Sequence, residues 1–361
     1  MASALRYARR GVYTTSPNPN VGCVIVKDGE EIAVGWHQKA GEAHAEINAL
    51  KRAGERARGA DAFVTLEPCS HHGKTGPCAD ALIEAGVKKV FVAMKDPNPL
   101  VAGQGIKRLE DAGIEVKVGL LEARARLLNT GFIKRMETGL PFVRVKMAMS
   151  LDGRTAMASG ESQWVTGPDA RADVQRYRAR SSAILTGIGT VLADDPSLNV
   201  RMTADELGMN DEIRQPLRVI LDTEGRLPED AKLLSLPGKV LLITTDKSKL
   251  FEHENLLIEE VALKDGKLNL HEVMKLLASY EVNDVHVEAG SVLCGALLQQ
   301  NLADEIIIYM ASHLMGDNAQ GLFNLPAIET MQQRINLNIE DIRAVGDDWR
   351  ITAKPVLQEQ K

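Results

Sequence analysis

At 361 residues, 44% hydrophobic and 25% charged, the chain is long enough for two packed domains of ordinary globular composition. A formal net charge of −6 and aromatics at only 4% argue against a nucleic-acid groove, which needs basic side chains and stacking rings. No apolar run approaches the roughly 20 residues of a membrane span. The four cysteines, Cys23, Cys69, Cys78 and Cys294, read as reduced-compartment usage, so a cytoplasmic protein is expected.

The N-terminus, rich in Arg and hydroxyl side chains, superficially resembles a transit peptide. It reads better as a short helix around Leu5, Ala8 and Arg9, stopped by Gly11. A turn cluster at Pro17-Asn18-Pro19-Asn20 leads into a buried strand, Val21 to Val26. Asp28-Gly29 then signals a hairpin, with Ile32 to Trp36 as the return strand.

A helix opens at His44, its stripe Ile47, Leu50, Gly54 and Ala57 ending at Gly59. It is followed by a strand (Ala62 to Leu66), a Cys-containing loop, a helix (Ala79 to Ala85), a strand (Lys89 to Ala93), a helix (Ile106 to Ala112), a strand (Glu115 to Val118) and a helix (Leu121 to Met136). Such alternation predicts a three-layer α/β domain with a mixed sheet. Thr138-Gly139-Leu140-Pro141 marks the boundary, giving domains 1–140 and 141–361.

In the second half the pattern predicts strands at Phe142 to Met149, Ala183 to Thr186, Arg218 to Leu221, Val240 to Thr244, Asp284 to Glu288 and Glu305 to Tyr309. Helices are expected at Asp169 to Ala179, Leu270 to Tyr280 and Ser291 to Gln299, a turn at Gly187 to Thr190, and a surface loop over Met202 to Gln215. This half too is α/β. Glu288-Ala289-Gly290-Ser291 joins strand to helix, where free backbone N–H groups can receive a phosphate. Gly187-x-Gly189 lacks the third glycine of a dinucleotide fingerprint.

The chemistry concentrates between residues 44 and 78. His44, Cys69 and Cys78 offer one imidazole and two thiolates, a donor set suited to Zn²⁺ with the fourth position open to water. Water on such a metal falls to a pKa of about 7. His-x-Glu followed by Pro-Cys and a second Cys is the zinc-deaminase pattern, with Glu46 as general acid/base and not a ligand. On a continuous helix His44 and Glu46 lie about 200° apart, so both face one metal only if His44 sits at the helix N-terminus. A fourth ligand from His71 or His72 would close the site into a structural knot.

Over essentially its whole length the sequence resembles the bifunctional riboflavin-biosynthesis deaminase/reductase family of bacteria. The matching stretches are PNPNVGCVIVKDG, GEAHAE, VTLEPCSHHGKTGPC, DPNPLVAGQG, SLDGRTA, SGESQW, ILTGIGTVLADDPSL and VEAGSVLCGALL. Eight residues separate Cys69 from Cys78, whereas nucleic-acid and cytidine deaminases usually place two there.

The resemblance implies a cytidine-deaminase-like N-terminal domain and a dihydrofolate-reductase-like C-terminal domain, using zinc and NADPH. It implies hydrolytic deamination of 2,5-diamino-6-ribosylamino-4(3H)-pyrimidinone 5′-phosphate, then reduction of its ribosylamino group to ribitylamino. Lys74 would meet the substrate phosphate, and Asn18, His37 and His71 would line the pyrimidine and ribose pocket. Ala148, Trp164, Thr190, Asp194, Thr223 and the loop Gly290, Ser291, Val292, Leu293, Cys294, Gly295 and Ala296 would meet NADPH. Ser162, Arg178, Leu198, Arg201 and Glu288 would meet the reductase substrate, with Arg178 and Arg201 clamping its phosphate and Glu288 able to handle a proton. Dimerisation through the reductase half is also implied. No basic pair for the cofactor's 2′-phosphate can be picked out of the sequence.

Overall fold

The computed structural model describes residues 1–70, 76–99, 101–209, 212–326 and 328–356. The chain divides into two compact units, Met1–Leu140 and Pro141–Lys361. No helix among the described residues is long and apolar enough to cross a membrane.

The first unit runs α1 (Ala2–Ala8), β1 (Gly22–Lys27), β2 (Glu30–Trp36), α2 (Ala45–Ala53), β3 (Asp61–Val64), α3 (Cys78–Glu84), β4 (Lys89–Val92), α4 (Gln104–Asp111), β5 (Glu115–Val118), α5 (Glu122–Leu128) and α6 (Thr130–Thr138). Its sheet orders the strands β2-β1-β3-β4-β5. β1 is antiparallel to β2 and β3, and β3, β4 and β5 are parallel. Asp28 and Gly29 both take positive φ in the β1–β2 turn, as an Asp-Gly hairpin requires.

Two expectations change here. The buried face of α2 is Ala45, Ala49 and Ala53 with Glu46, while Ile47 and Leu50 are half-buried. Close approach is the reason: a Cβ on Gly35 of β2 would lie 2.3 Å from the Ala45 carbonyl oxygen and 2.4 Å from the Ala49 nitrogen. Small side chains let the helix lie against the sheet, which fixes where its first turn ends up. The single helix expected over 121–136 is instead α5 and α6, broken at Asn129. That side chain is engaged elsewhere, accepting from the Asn20 backbone N–H at 2.7 Å and donating to the Asn20 carbonyl at 3.0 Å.

The second unit contains β6 (Phe142–Ser150), β7 (Arg154–Ala156), α7 (Pro168–Arg180), β8 (Ala183–Gly187), α8 (Ile188–Asp194), α9 (Ala204–Leu207), β9 (Leu217–Leu221), β10 (Val240–Thr244), β11 (Leu256–Glu260), β12 (Leu263–Lys264), β13 (Lys267–Leu268), α10 (Leu270–Ser279), β14 (Asp284–Glu288), α11 (Ser291–Gln299), β15 (Glu305–Ala311), β16 (Gln320–Gly321), β17 (Leu337–Val345) and β18 (Asp348–Pro355). Nine strands form one sheet in the order β11-β10-β9-β8-β14-β6-β15-β18-β17. All are parallel as far as β15, after which β18 and β17 close the sheet as an antiparallel hairpin.

The turn expected at 187–190 is the start of α8, with Gly187 as its extended N-cap. Within the expected 202–215 loop, Thr203 and Glu206 form a capping box that starts the short helix α9. β17 has no sequence signature because seven of its nine residues are exposed, so no alternation of burial is written into it.

Candidate active sites

In the first unit, His44 is the extended N-cap residue of α2, with φ −70° and ψ 166°. This breaks the helical 200° separation and lets His44 and Glu46 face one point. The His44 Nδ1 lies 3.3 Å from Cys78 Sγ and 3.6 Å from Cys69 Sγ. Cys78 begins α3, and its backbone N–H donates to Cys69 Sγ at 3.3 Å. The hydrogen bond from the Cys78 thiol, joined by His44, pulls the Cys69 thiol down, while the same bond and burial push Cys78 up.

Glu46 is 3% exposed, and burial pushes its carboxyl up to about 7 despite the opposing charge of His44. His37 packs edge-on against His44, with ring centroids 5.5 Å apart. Its Nδ1 faces the Ala43 carbonyl at 3.2 Å and its Nε2 faces Asn18 Nδ2 at 3.1 Å. These partners assign the proton to Nδ1 and make Nε2 the acceptor. Burial lowers its pKa, keeping the ring neutral. Both ring nitrogens are thus occupied, and His37 buttresses the metal ligand.

In the second unit a cavity of about 1490 Å³ opens at the carboxyl ends of β6, β8, β9 and β14, where α/β sheets bind ligands. It exceeds the ~300–1,000 Å³ of a pocket for one drug-sized ligand, leaving room for a dinucleotide and a second molecule. Among its walls are Ala148, Ser162, Trp164, Arg178, Thr190, Asp194, Leu198, Arg201, Thr223, Glu288, Gly290, Ser291, Val292, Leu293 and Ala296. Cys294 and Gly295 do not line it. They lie on the buried side of α11, where a Cβ on Gly295 would meet the Asn324 carbonyl oxygen at 2.1 Å.

Arg178 grips Glu288 with both prongs, Nε to Oε1 at 2.6 Å and Nη2 to Oε2 at 2.9 Å, and its Nη1 donates to the Asn199 carbonyl at 3.0 Å. Its fork is therefore engaged internally, not open to a phosphate. Burial would raise the Glu288 carboxyl, but the Arg178 charge and hydrogen bonds hold it well below the usual carboxylate range. A carboxylate so held stays ionised, which argues against a proton-donating Glu288.

Three comparisons bear on what these sites are. Residues 141–351 match the RibD C-terminal domain, and residues 1–94 match the cytidine and deoxycytidylate deaminase zinc-binding region. The riboflavin biosynthesis protein RibD of Escherichia coli is 50% identical over 353 residues, covering 96% of each chain. The chain belongs to the RibD family. A solved RibD structure from Acinetobacter baumannii superposes with a TM-score of 0.90 at 47% identity, covering 99% of this chain and 98% of that one. A Thermotoga maritima diaminohydroxyphosphoribosylaminopyrimidine deaminase/5-amino-6-(5-phosphoribosylamino)uracil reductase gives 0.85 at 33% identity, covering 99% and 97%.

As a RibD, this chain is a bifunctional riboflavin-biosynthesis enzyme with a zinc-dependent deaminase and an NADPH-dependent reductase. Its deaminase unit has the cytidine-deaminase-like fold, and its reductase unit the dihydrofolate-reductase-like fold. His44, Cys69 and Cys78 bring their donor atoms within 4.8 Å of one another. Tetrahedral zinc with bonds of roughly 2.0 to 2.3 Å sets ligand atoms about 3.5 Å apart, so the observed 3.3 and 3.6 Å fit the ion.

Several residues in these RibD sites carry no role in the sequence reading. Glu67, inside the metal motif, is 3% exposed and accepts four backbone N–H groups: Asp96 and Gly103 on Oε2, and Gly105 and Ile106 on Oε1. It ties the strand before Cys69 to the start of α4. Lys146 stands opposite Glu288 in the β6–β14 register and lines the cavity. Desolvation pulls its ammonium pKa down against the attraction of Glu288. His71, His72 and Lys74 lie outside the described residues.

Proposed function

We propose that residues 1–140 form the zinc-dependent deaminase domain and residues 141–361 the NADPH-dependent reductase domain, acting in succession on one pyrimidine nucleotide. The first removes an amine from 2,5-diamino-6-ribosylamino-4(3H)-pyrimidinone 5′-phosphate, and the second reduces the ribosylamino group to ribitylamino. The observation that carries this reading is a buried carboxyl, Glu46, beside the triad that His44, Cys69 and Cys78 form among the described residues of one unit, with a dinucleotide-sized cavity in the other.

The cofactors supply Lewis acidity toward water and a hydride respectively. His44, Cys69 and Cys78 hold the metal. Glu46 takes a proton from the attacking water and passes it to the ring nitrogen, then carries the proton of the newly added hydroxyl to the amine, which departs as ammonia. A carboxyl buried beside the triad serves both directions of transfer. Asn18 orients His37, His37 braces His44, and the 71–74 segment is left to meet the ribose and phosphate through His71 and Lys74.

In the reductase the N–H groups opening α11 at Gly290 and Ser291 receive the cofactor's pyrophosphate. Ala148, Trp164, Thr190, Asp194 and Thr223 complete its bed. Ser162, Leu198 and Arg201 face the nucleotide, whose phosphate Arg201 takes. Glu288, locked by Arg178, holds a fixed negative charge beside Lys146, and the depressed ammonium of Lys146 is the group able to give a proton as the sugar opens.

The chain works in the cytoplasm, in keeping with its four free cysteines, as a homodimer through the reductase domain. Ile339, Ile342 and Trp349 on the β17–β18 edge are 55%, 53% and 47% exposed, and apolar edge strands invite a partner. Sedimentation of an Ile342→Lys variant as monomer supports this; an unchanged dimer rejects it. The reaction sequence itself is tested by supplying the diamino nucleotide and reading ammonia release, then NADPH consumption. Both signals support the reading, and ammonia without NADPH consumption removes the second half.

A further inference from the structure

The reductase cavity has a basic wall to which the readings above give no role. β12 and β13 form a two-residue hairpin whose turn, Asp265-Gly266, holds φ at 52° and 74°. Positive φ at both central residues is the type I′ geometry, which keeps the flanking strands in register. In that register Lys264 lies directly opposite Lys267. Directly opposed residues share one face of the ribbon with Cβ atoms about 5 Å apart, and like charges so placed repel. Both lysines line the cavity, and among the described residues neither enters an ion pair. Asp265 at the turn tip offsets part of the charge, and Lys232 adds a further cation to the same cavity.

A like-charged pair facing a ligand cavity is stabilised by a compact dianion placed between the two ammonium groups. NADPH carries two separate anionic groups, a pyrophosphate and a 2′-phosphate monoester. The pyrophosphate has its own receptor at the start of α11. The hairpin leads out of β11, the edge strand on the far side of β9 from β14 and β6, while Glu288 and Lys146 mark the end where the reaction occurs. The hairpin is thus on the side that the adenosine half of an extended cofactor reaches.

We propose that Lys264 and Lys267 grip the 2′-phosphate of NADPH and set the preference for NADPH over NADH. The inference rests on the reductase reading above. A nucleotide substrate also carries a phosphate monoester, but Arg201 serves that group on the wall near Leu198.

The test is direct binding to the full-length, zinc-loaded protein by calorimetry, using NADPH, NADH, 2′,5′-ADP and 5′-ADP as probes. Wild type should bind 2′,5′-ADP more tightly than 5′-ADP. A Lys264→Ala/Lys267→Ala double variant should lose affinity for NADPH and 2′,5′-ADP by on the order of tenfold or more. NADH and 5′-ADP should bind as before, and ammonia release should be unchanged. The Lys264→Arg/Lys267→Arg variant, which keeps the charge, should keep the discrimination. An unaltered NADPH to NADH ratio in the alanine variant overturns the assignment, as does a rise only in the KM of the deaminated nucleotide. If wild type binds neither dinucleotide, the cofactor reading itself falls, and this assignment with it.

Discussion

Single side chains decide the chemistry of both units. Glu46 is buried against the metal triad without being one of its ligands, so Glu46→Gln should retain zinc by metal analysis while ammonia release falls by about 10² to 10⁴, the usual worth of a positioned proton-transfer group. Loss of the metal in that variant would assign Glu46 to the ligand set. In the other unit His286 is fully buried on β14, stacked on Tyr177 with ring centroids 5.9 Å apart. Neither ring nitrogen makes a hydrogen bond among the described residues, although Nε2 lies 3.5 Å from Glu288 Oε1. Burial depresses its pKa to about 3, so between its ordinary value of about 6.5 and that point the unfolded chain binds a proton that the native one refuses. Stability present above pH 6.5 is therefore lost as the pH falls, by up to ~1.4 kcal/mol per pH unit. His286→Phe keeps the stack and removes the proton, so its thermal midpoint should fall less steeply from pH 6.5 to 4.5; parallel slopes would contradict a buried neutral ring. At this scale the sequence was legible where residue type alone dictates chemistry, as for His44, Glu46, Cys69 and Cys78. It was silent where the partner is distant: Glu67 acts through backbone N–H groups some thirty to forty positions away, and Lys146 comes to stand opposite Glu288 only through the β6–β14 register.

Among elements, close packing of backbone on backbone sets the deaminase geometry. A Cβ on Gly105, at the start of α4, would lie 1.9 Å from the Pro68 carbonyl oxygen and 3.3 Å from the Glu67 side chain. Gly105→Ala should push the segment carrying Cys69 off its place, costing about 1 to 3 kcal/mol as overpacking does. Zinc content and ammonia release should both drop, while NADPH-dependent reduction of the deaminated nucleotide persists. Equal zinc and activity would show that the loop yields without cost. The helix stripe misled the reading of α2 for a related reason, since the face pressed to the sheet is the one with alanines, and hydrophobicity ranks Ile47 and Leu50 above them. The break at Asn129 was equally hidden, because its side chain satisfies the backbone of Asn20, more than a hundred residues earlier.

For the molecule as a whole, each unit holds its own core and its own reactive groups. Cys69→Ser should remove zinc and deamination while leaving reduction of the deaminated intermediate within about twofold of wild type. A collapse of both activities would mean that the units do not act independently. Strand and helix alternation made the α/β class of both halves readable, and the buried strands of the larger sheet stood out as short apolar runs. Its closing hairpin did not, because exposed strands carry no such run.

The strand order of that sheet also has a consequence for how the protein is made. β6, an interior strand, pairs on one side with β14 and on the other with β15, which are encoded about 140 and about 160 residues later. At a synthesis rate of roughly 5 to 20 residues per second, Phe142–Ser150 leaves the ribosome roughly seven to thirty seconds before either neighbour exists. The deaminase unit, complete at Leu140, has by then everything it needs to fold. The reductase half must meanwhile keep an apolar strand from pairing with other nascent chains, so slowed elongation or a truncation before Asp284 should send this protein into aggregates while its first 140 residues remain competent.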